Sequence, residues 1–276
     1  MDKTEFLTIY PTFENLEVVK QTLPSVIDET KRNNARLIVH DSSEKGREEK
    51  WSYLQDLNKS NDFFLLLSTN LSMAHSRNMC LALGQELYAP DYICMIEDDH
   101  GFNEGLIRNL VDAMKRYYGQ LSPNGLRYGL FTACEKHFHY PRHQVDNICS
   151  YPDDQSPPGA LGGTNSCFRC APTSHWNNVL KGYDTDEYLI STYQTKNLCY
   201  RNYHKGFTTC IVGNNLTFEF EAIGRGTSAS TSLKLWDENY TASDARSNFL
   251  GKVPESRPTD NAQNLKSTIK NFFKRN

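Results

Sequence analysis

The sequence predicts an α/β protein with a mostly parallel central sheet flanked by helices, one domain followed by a C-terminal extension. Three observations carry this expectation. Over residues 1–100, short apolar runs alternate with stretches of helical periodicity, and strands separated by helices of this length pair in parallel with helices on both faces. The 15 Tyr and 14 Phe among 276 residues supply enough aromatic surface to close a core, which excludes an intrinsically disordered chain. The longest apolar runs, such as FFLLL at residues 63–67, fall far short of the roughly 18 residues that suggest a membrane span.

The elements follow in order. Residues 6–10 (FLTIY) read as a buried strand closed by Pro11, and Leu16, Val19, Leu23, Val26 and Ile27 fall on one face of the next helix. Residues 36–40 (RLIVH) form a second strand, ended by the polar turn Asp41, Ser42, Ser43. A charged helix covers residues 44–57, a third strand residues 63–68, a helix residues 73–87, and a fourth strand residues 92–96 (YICMI). After Gly101 the pattern changes: an amphipathic helix at 105–118, a strand at 128–132, then a Pro/Gly/His-rich stretch at 134–164. Loops of that length inside a domain are usually functional or mobile. Helices near 173–180 and 186–197 and a strand at 207–212 complete the domain. Sheets of this kind bind ligands at the carboxyl ends of their strands, so the residues just after each strand matter most.

Composition narrows the function. Thirty Lys+Arg against 33 Asp+Glu leave a net charge of −3, a balance that gives no reason to expect a nucleic-acid partner. The chain opens MDKTEFLTIYP, without the basic and apolar regions of a signal peptide. The expectation is therefore a cytoplasmic protein whose eight cysteines are free thiols. Cys167 and Cys170 form a CxxC with no second pair at zinc-ribbon spacing, so they read as packing residues. The terminal Lys266, Lys270, Lys274 and Arg275, with Ile269, Phe272 and Phe273, offer at most peripheral contact with anionic lipid.

The sharpest feature is Glu97-Asp98-Asp99, directly after the strand YICMI. Adjacent carboxylates repel one another and cost solvation, so a fold places them at a strand end most readily where a cation balances them. Mg2+ and Mn2+ take oxygen ligands, commonly one or two carboxylates plus substrate phosphates. A solvated acidic turn capping the next helix is the plainer alternative. Upstream, Ser76-Arg77-Asn78 lies near a helix start, where free backbone N–H groups and an arginine suit a phosphate.

Together these motifs resemble the family 2 type of nucleotide-sugar glycosyltransferases, which have the Rossmann-like GT-A fold. The resemblance spans residues 6–212 as an ordered set of motifs. Pro11, Thr12, Phe13 and Glu14 look like that family's first strand and nucleotide-contacting loop. IVHDSS resembles its second strand, whose terminal aspartate contacts the base; His40 or Asp41 fills that place, and Asp41 is favoured. The stretch ending in Arg77 is similar to the family's Ala-Arg-Asn segment near the donor nucleotide. Glu97-Asp98-Asp99 is similar to the DxD motif, with glutamate in place of the first aspartate. The resemblance implies Asp99 as direct metal ligand, with Glu97 and Asp98 on ribose or metal-bound water, and Glu97 a second candidate ligand.

KGYDTDEYLIS looks like the family's Gly-aromatic-Asp followed by an acidic pair, here Asp186 and Glu187 in reversed order. Either is a candidate base that takes the proton of an acceptor hydroxyl, Glu187 preferred by position. The glycine-rich residues 159–163 would let backbone amides approach a sugar. Trp176 would stack on a sugar or fill the core, and His137, His139 and His143 would line an acceptor pocket or a polar strand end. Family members often carry a late histidine near the metal. FEFEAIGRGTS has none, though Glu219 and Glu221 are acids there.

The resemblance implies a Mn2+- or Mg2+-dependent transferase moving a sugar from a nucleoside-diphosphate donor, UDP-linked on family grounds, to a glycan, glycolipid or other hydroxyl, with inversion. Residues 1–100 would bind the nucleotide sugar, 101–235 the acceptor, and 236–276 would be the extension. A sugar-nucleotide pyrophosphorylase-like nucleotidyltransferase is an alternative, but it needs a glycine-rich loop after the first strand and PTFENLE has no glycine. A non-catalytic nucleotide-sugar-binding protein is the other.

Overall fold

The computed structural model describes residues 4–69, 73–122, 125–135, 144–145, 148–150, 168–183, 198–199 and 201–219. The first part alternates as expected: β1 (Phe6–Thr12), α1 (Leu16–Arg32), β2 (Arg36–Asp41), α2 (Arg47–Lys59), β3 (Phe64–Leu67), α3 (Met73–Tyr88) and β4 (Tyr92–Ile96). The short β5 (His100–Phe102) follows the acidic triplet, then α4 (Leu106–Tyr117) and β6 (Arg127–Glu135). The remainder comprises β7 (Gln144–Val145), β8 (Ile148–Ser150), β9 (Phe168–Pro172), α5 (Thr173–His175) continued by a π-helical turn (Trp176–Leu180), and β10 (Phe207–Glu219).

One sheet joins them in the order β3-β2-β1-β4-β9-β6-β10-β8-β7, with β5 paired to β10. β1 runs parallel to β2 and to β4, and β2 parallel to β3. β9 enters antiparallel between β4 and β6, and β10 then runs parallel to β6. The chain leaves β1 toward β2 on one side and returns to β4 on the other, so the gap beyond Thr12 and Ile96 is the topological switch point where such sheets bind ligands.

Alternation along β1 supplies two cores. Phe6 and Tyr10 face Val19, Leu23 and Val26 of α1, Leu54 of α2, and Leu110 and Met114 of α4. Leu7 and Ile9 face Ala74, Cys80 and Leu81 of α3 together with Trp176 and Leu180. Glu29 of α1 is buried and accepts hydrogen bonds from the Gly105 and Ile107 amides (3.2 and 3.0 Å), so an acid from another helix caps α4.

Several expectations change. Pro11 lies inside β1 rather than ending it. Pairing with β4 stops at Ile9, so the missing N–H falls where the strand has lost one neighbour. Of the two roles open to Trp176 the structure shows the core one: it is 1% exposed, its indole donating to the Ile93 carbonyl (3.2 Å). Cys94 and Cys170 face each other across β4 and β9 with Cα atoms 4.1 Å apart and are joined as a disulfide, where free thiols were expected; Cys80 and Cys199 are buried free thiols. The helix expected at 186–197, the glycine-rich residues 159–163, His137, His139 and His143, and the extension 236–276 lie outside the described residues. Among the described residues no helix is long and apolar enough to cross a membrane.

A buried knot ties the second half together. His175 Nε2 donates to Asn202 Oδ1 (2.8 Å), and its Nδ1 faces the Tyr118 hydroxyl (3.2 Å). The ring also packs edge-on against Phe207. Gly129 of β6 lies against this pair: a Cβ there would come within 2.5 Å of the His175 ring and 2.8 Å of Asn202 Oδ1. Burial, opposed in part by the Asn202 bond, holds the His175 imidazole down at about 4, and burial lowers His40 to about 4 as well.

Two outcomes follow. Gly129→Ala forces His175 from Asn202 and destabilises the protein by about 1–3 kcal/mol, measured as a lower urea midpoint with an unchanged slope. Both histidines bind protons more tightly when unfolded than when folded, so their contribution is complete above pH 6.5 and is lost as pH falls toward 4. The urea midpoint therefore drops across that window. His175→Gln flattens the dependence by up to about 1.4 kcal/mol per pH unit; an unchanged pH slope in that variant would contradict the assignment.

Candidate functional site

The carboxyl ends of β1, β2 and β4 converge on one network. Thr12 ends β1 and donates its hydroxyl to Asp98 Oδ2 (2.6 Å), and the Phe13 amide donates to the same oxygen (3.3 Å). The Thr22 hydroxyl of α1 donates to the Asp98 carbonyl (2.8 Å). Asp98 is thus held across the switch point by its side chain and its backbone. Burial first, and then the neighbouring Asp99, push its carboxyl up to about 6.

Glu97 has the opposite environment. Both Arg77 of α3 and Arg169 of β9 pair with Glu97 Oε1, the latter at 2.6 Å. Burial alone would raise this carboxyl; the two guanidinium groups, Arg169 foremost, outweigh burial and hold it at about 2. The Tyr183 ring lies beneath both guanidinium groups, with its centroid 5.0 Å from Arg77 Cζ and 5.8 Å from Arg169 Cζ. Asn78 then pins that residue, exchanging hydrogen bonds with the Tyr183 carbonyl and amide (2.8 and 2.7 Å). Asp99, partly exposed, lies with its Oδ1 2.6 Å from His100 Nδ1. His100 opens β5, where its backbone lies opposite Glu219 of β10.

Behind the site, Asp41 is fully buried at the end of β2. Its Oδ1 receives Lys50 Nζ and the Ser43 hydroxyl (both 2.7 Å), and its Oδ2 receives the Trp51 indole N–H (2.7 Å) and the Ser43 amide (3.2 Å). The carboxylate, expected from the resemblance to contact the base, is enclosed by these protein donors. His40, the other residue considered for that place, is also fully buried, its Nε2 beside the Ser68 hydroxyl (2.8 Å) and its Nδ1 beside that of Ser76.

The structure therefore brings Pro11, Thr12, Phe13, Glu14, Glu97, Asp98 and Asp99 to one edge of the sheet. Pro11, Phe13 and Glu14 are half-buried, and Thr12 is buried behind them. Arg77 reaches this edge too, but as a partner of Glu97. Asp186 and Glu187 lie outside the described residues.

Lys50, Ser43, Arg169 and Tyr183 were not foreseen as members of the site. A signal for Lys50 existed: it precedes the apolar Leu54 by four residues and so shares the inward face of α2.

Fit to a divalent cation rests on Asp98 and Asp99. These adjacent oxygen donors are close enough that one raises the other's pKa, a repulsion that a hard cation relieves. Among the described residues no three His, Cys, Asp or Glu side chains cluster as a ready-made metal cage.

No protein-family model matches the chain, and no curated protein matches it in sequence. Solved structures do share its fold. The mannosyltransferase PcManGT from Pyrobaculum calidifontis, in complex with GDP-Man and Mn2+, aligns over 98% of this chain and 85% of its own, with a TM-score of 0.54 and 11% identity. S. aureus TarS 1-349 in complex with UDP-GlcNAc aligns over 97% and 89%, with a TM-score of 0.57 and 10% identity. GalNAc-T7 with UDP, GalNAc and Mn2+ aligns over 98% of this chain and 55% of its own, with a TM-score of 0.55 and 10% identity. The chain has the GT-A fold of these glycosyltransferases.

Proposed function

We propose that the protein is a divalent-metal-dependent glycosyltransferase that moves a sugar from a nucleoside-diphosphate donor, UDP-linked in the first instance, to an acceptor hydroxyl. The observation that carries this reading is the acidic pair Asp98 and Asp99 at the switch point, with Asp98 fastened to Thr12 and Phe13 at the end of β1. The structural neighbours support it, since they were solved with GDP-Man, UDP-GlcNAc or UDP, two of them with Mn2+.

In this reading Pro11, Phe13 and Glu14 form the rim against which the donor nucleotide lies, while Thr12 holds Asp98 in place. Asp99, with Asp98 beside it, would hold Mn2+ or Mg2+, which supplies charge stabilisation for the diphosphate. Glu97 is assigned to the arginines: it fixes Arg77 and Arg169, both buried, behind the site, from where they add positive potential toward a diphosphate. Asp99 keeps the metal role that the resemblance implies, and Glu97, the second candidate ligand, is not assigned to the metal.

Glu187, or Asp186 beside it, takes the acceptor proton as the acceptor oxygen bonds to the anomeric carbon. The bond from that carbon to the diphosphate breaks and the nucleoside diphosphate leaves, so attack from the opposite face inverts the anomeric centre. The acceptor class is a glycan, glycolipid or other hydroxyl compound.

Replacing Asp99 with Ala separates this reading from a simple acidic turn. The wild-type melting temperature rises with UDP and Mn2+ together more than with either alone. Asp99→Ala loses that synergy and at least about 100-fold of transfer or donor hydrolysis, with the unliganded melting temperature within a few degrees of wild type. Retained Mn2+-stimulated transfer in that variant contradicts the assignment.

A further inference from the structure

Lys50 is among the largest side chains sealed inside the protein, 1% exposed, and no motif drew attention to it. Its ammonium has four acceptors around it. They are Asp41 Oδ1 (2.7 Å), Thr12 Oγ1 (2.8 Å), Ser43 Oγ (3.1 Å) and the Glu14 carbonyl. These acceptors come from the end of β1, the loop after it, the end of β2 and the turn that follows, so one charge joins the ends of both strands to their loops.

The loop it grips has an unusual backbone. Glu14 and Asn15 both adopt left-handed conformations, with φ of 49° and 30°. Two successive non-glycine residues there are strained, and such strain persists only where the surroundings over-determine it. The Glu14 peptide is held on both sides: its amide donates to Ser43 Oγ (2.6 Å), and its carbonyl accepts from Lys50. The hydroxyls are polarised in one direction. Lys50 donates to Thr12 Oγ1, which leaves the Thr12 proton to point at Asp98 Oδ2. Ser43 accepts from Lys50 and from Glu14 and donates to Asp41 Oδ1 (2.7 Å).

We propose that Lys50 is the positioning residue of the nucleotide site: its charge, anchored by Asp41 and shared with Ser43, locks the Phe13-Glu14-Asn15 loop in its strained, ligand-ready form and aims the Thr12 hydroxyl at Asp98. The inference rests on the donor-site reading above. Lys50 touches no substrate, being sealed behind Thr12. Its effect falls on donor affinity through the loop, because an unlocked loop must be reordered by the nucleotide each time it binds. Asp41 then belongs to the same clamp, which accounts for a buried carboxylate at the place where a base contact was expected.

Two readouts on wild type, Lys50→Met and Ser43→Ala test this. Amide hydrogen exchange of the ligand-free protein reads the loop, and titration calorimetry with UDP and Mn2+ reads the site. Ser43→Ala is included because it keeps the buried ion pair, and so the fold, while removing one hold on Glu14.

In both variants the Phe13 to Asn15 amides exchange at least about 10-fold faster while β1, β2 and α2 stay protected. UDP affinity falls about 10-fold or more in Lys50→Met and about 3- to 10-fold in Ser43→Ala, with KM for the donor rising more than kcat falls. Unchanged loop exchange in Ser43→Ala, or unchanged UDP affinity in a folded Lys50→Met, overturns the proposal. A uniform rise in exchange across the domain in both variants does so too, since it assigns Lys50 to stability alone. If wild type binds no nucleotide, the donor-site reading fails, while the exchange readout still decides whether Lys50 locks the loop.

Discussion

The hydrogen bond from Thr12 to Asp98 bridges the switch point between β1 and β4. Parallel strands that depart in opposite directions from β1 cannot cover the space beyond their carboxyl ends, and the chain spans it here with a hydroxyl, a carboxylate and the Phe13 amide. The rest of the site is arranged around that bridge. Thr22 fixes the Asp98 backbone from α1, Lys50 sets the direction of the Thr12 hydroxyl from α2, and Asp99 is left at the edge with His100. Two acids of one triplet consequently meet opposite electrostatics, Glu97 against two guanidinium groups and Asp98 against Asp99.

The fold was legible wherever a local period was strong. The strands and helices of residues 4–100 fall close to their expected places because the near-continuous burial of β1 and β2 and the apolar stripe of α1 are written in consecutive residues. What was not legible depends on distant pairing. That β9 inserts antiparallel between β4 and β6, or that β5 pairs with β10, is settled by partners far along the chain. The same holds for Cys94 and Cys170, whose meeting across β4 and β9 no spacing announces. Pro11 misled for a subtler reason: a proline ends a strand only where both sides need its N–H.

The site divides in the same way. Glu97, Asp98 and Asp99 stood out because three acids after a buried strand conflict with local expectation, and such conflicts mark functional positions. Lys50 and Glu29 did not stand out. Each looks like one charge among many on a polar helix, and only the fold shows that Lys50 meets Asp41 while Glu29 caps α4. Trp176 shows the converse, an aromatic suited to a sugar face that instead closes the second core beside Leu7 and Ile9. Arg77 was found at the right edge with a different partner, since the approach of Arg169 from β9 lay beyond local reading.

In the proposed function a divalent cation and a nucleoside diphosphate meet at the carboxyl ends of β1 and β4. Paramagnetic broadening of backbone amide signals by Mn2+ in the presence of UDP measures this directly. The signals of Thr12, Phe13, Asp98, Asp99 and His100 are expected to disappear first, at Mn2+ concentrations that leave α4 and the His175 knot unaffected. Broadening centred elsewhere in the protein, or none with UDP in excess, would contradict that proposal.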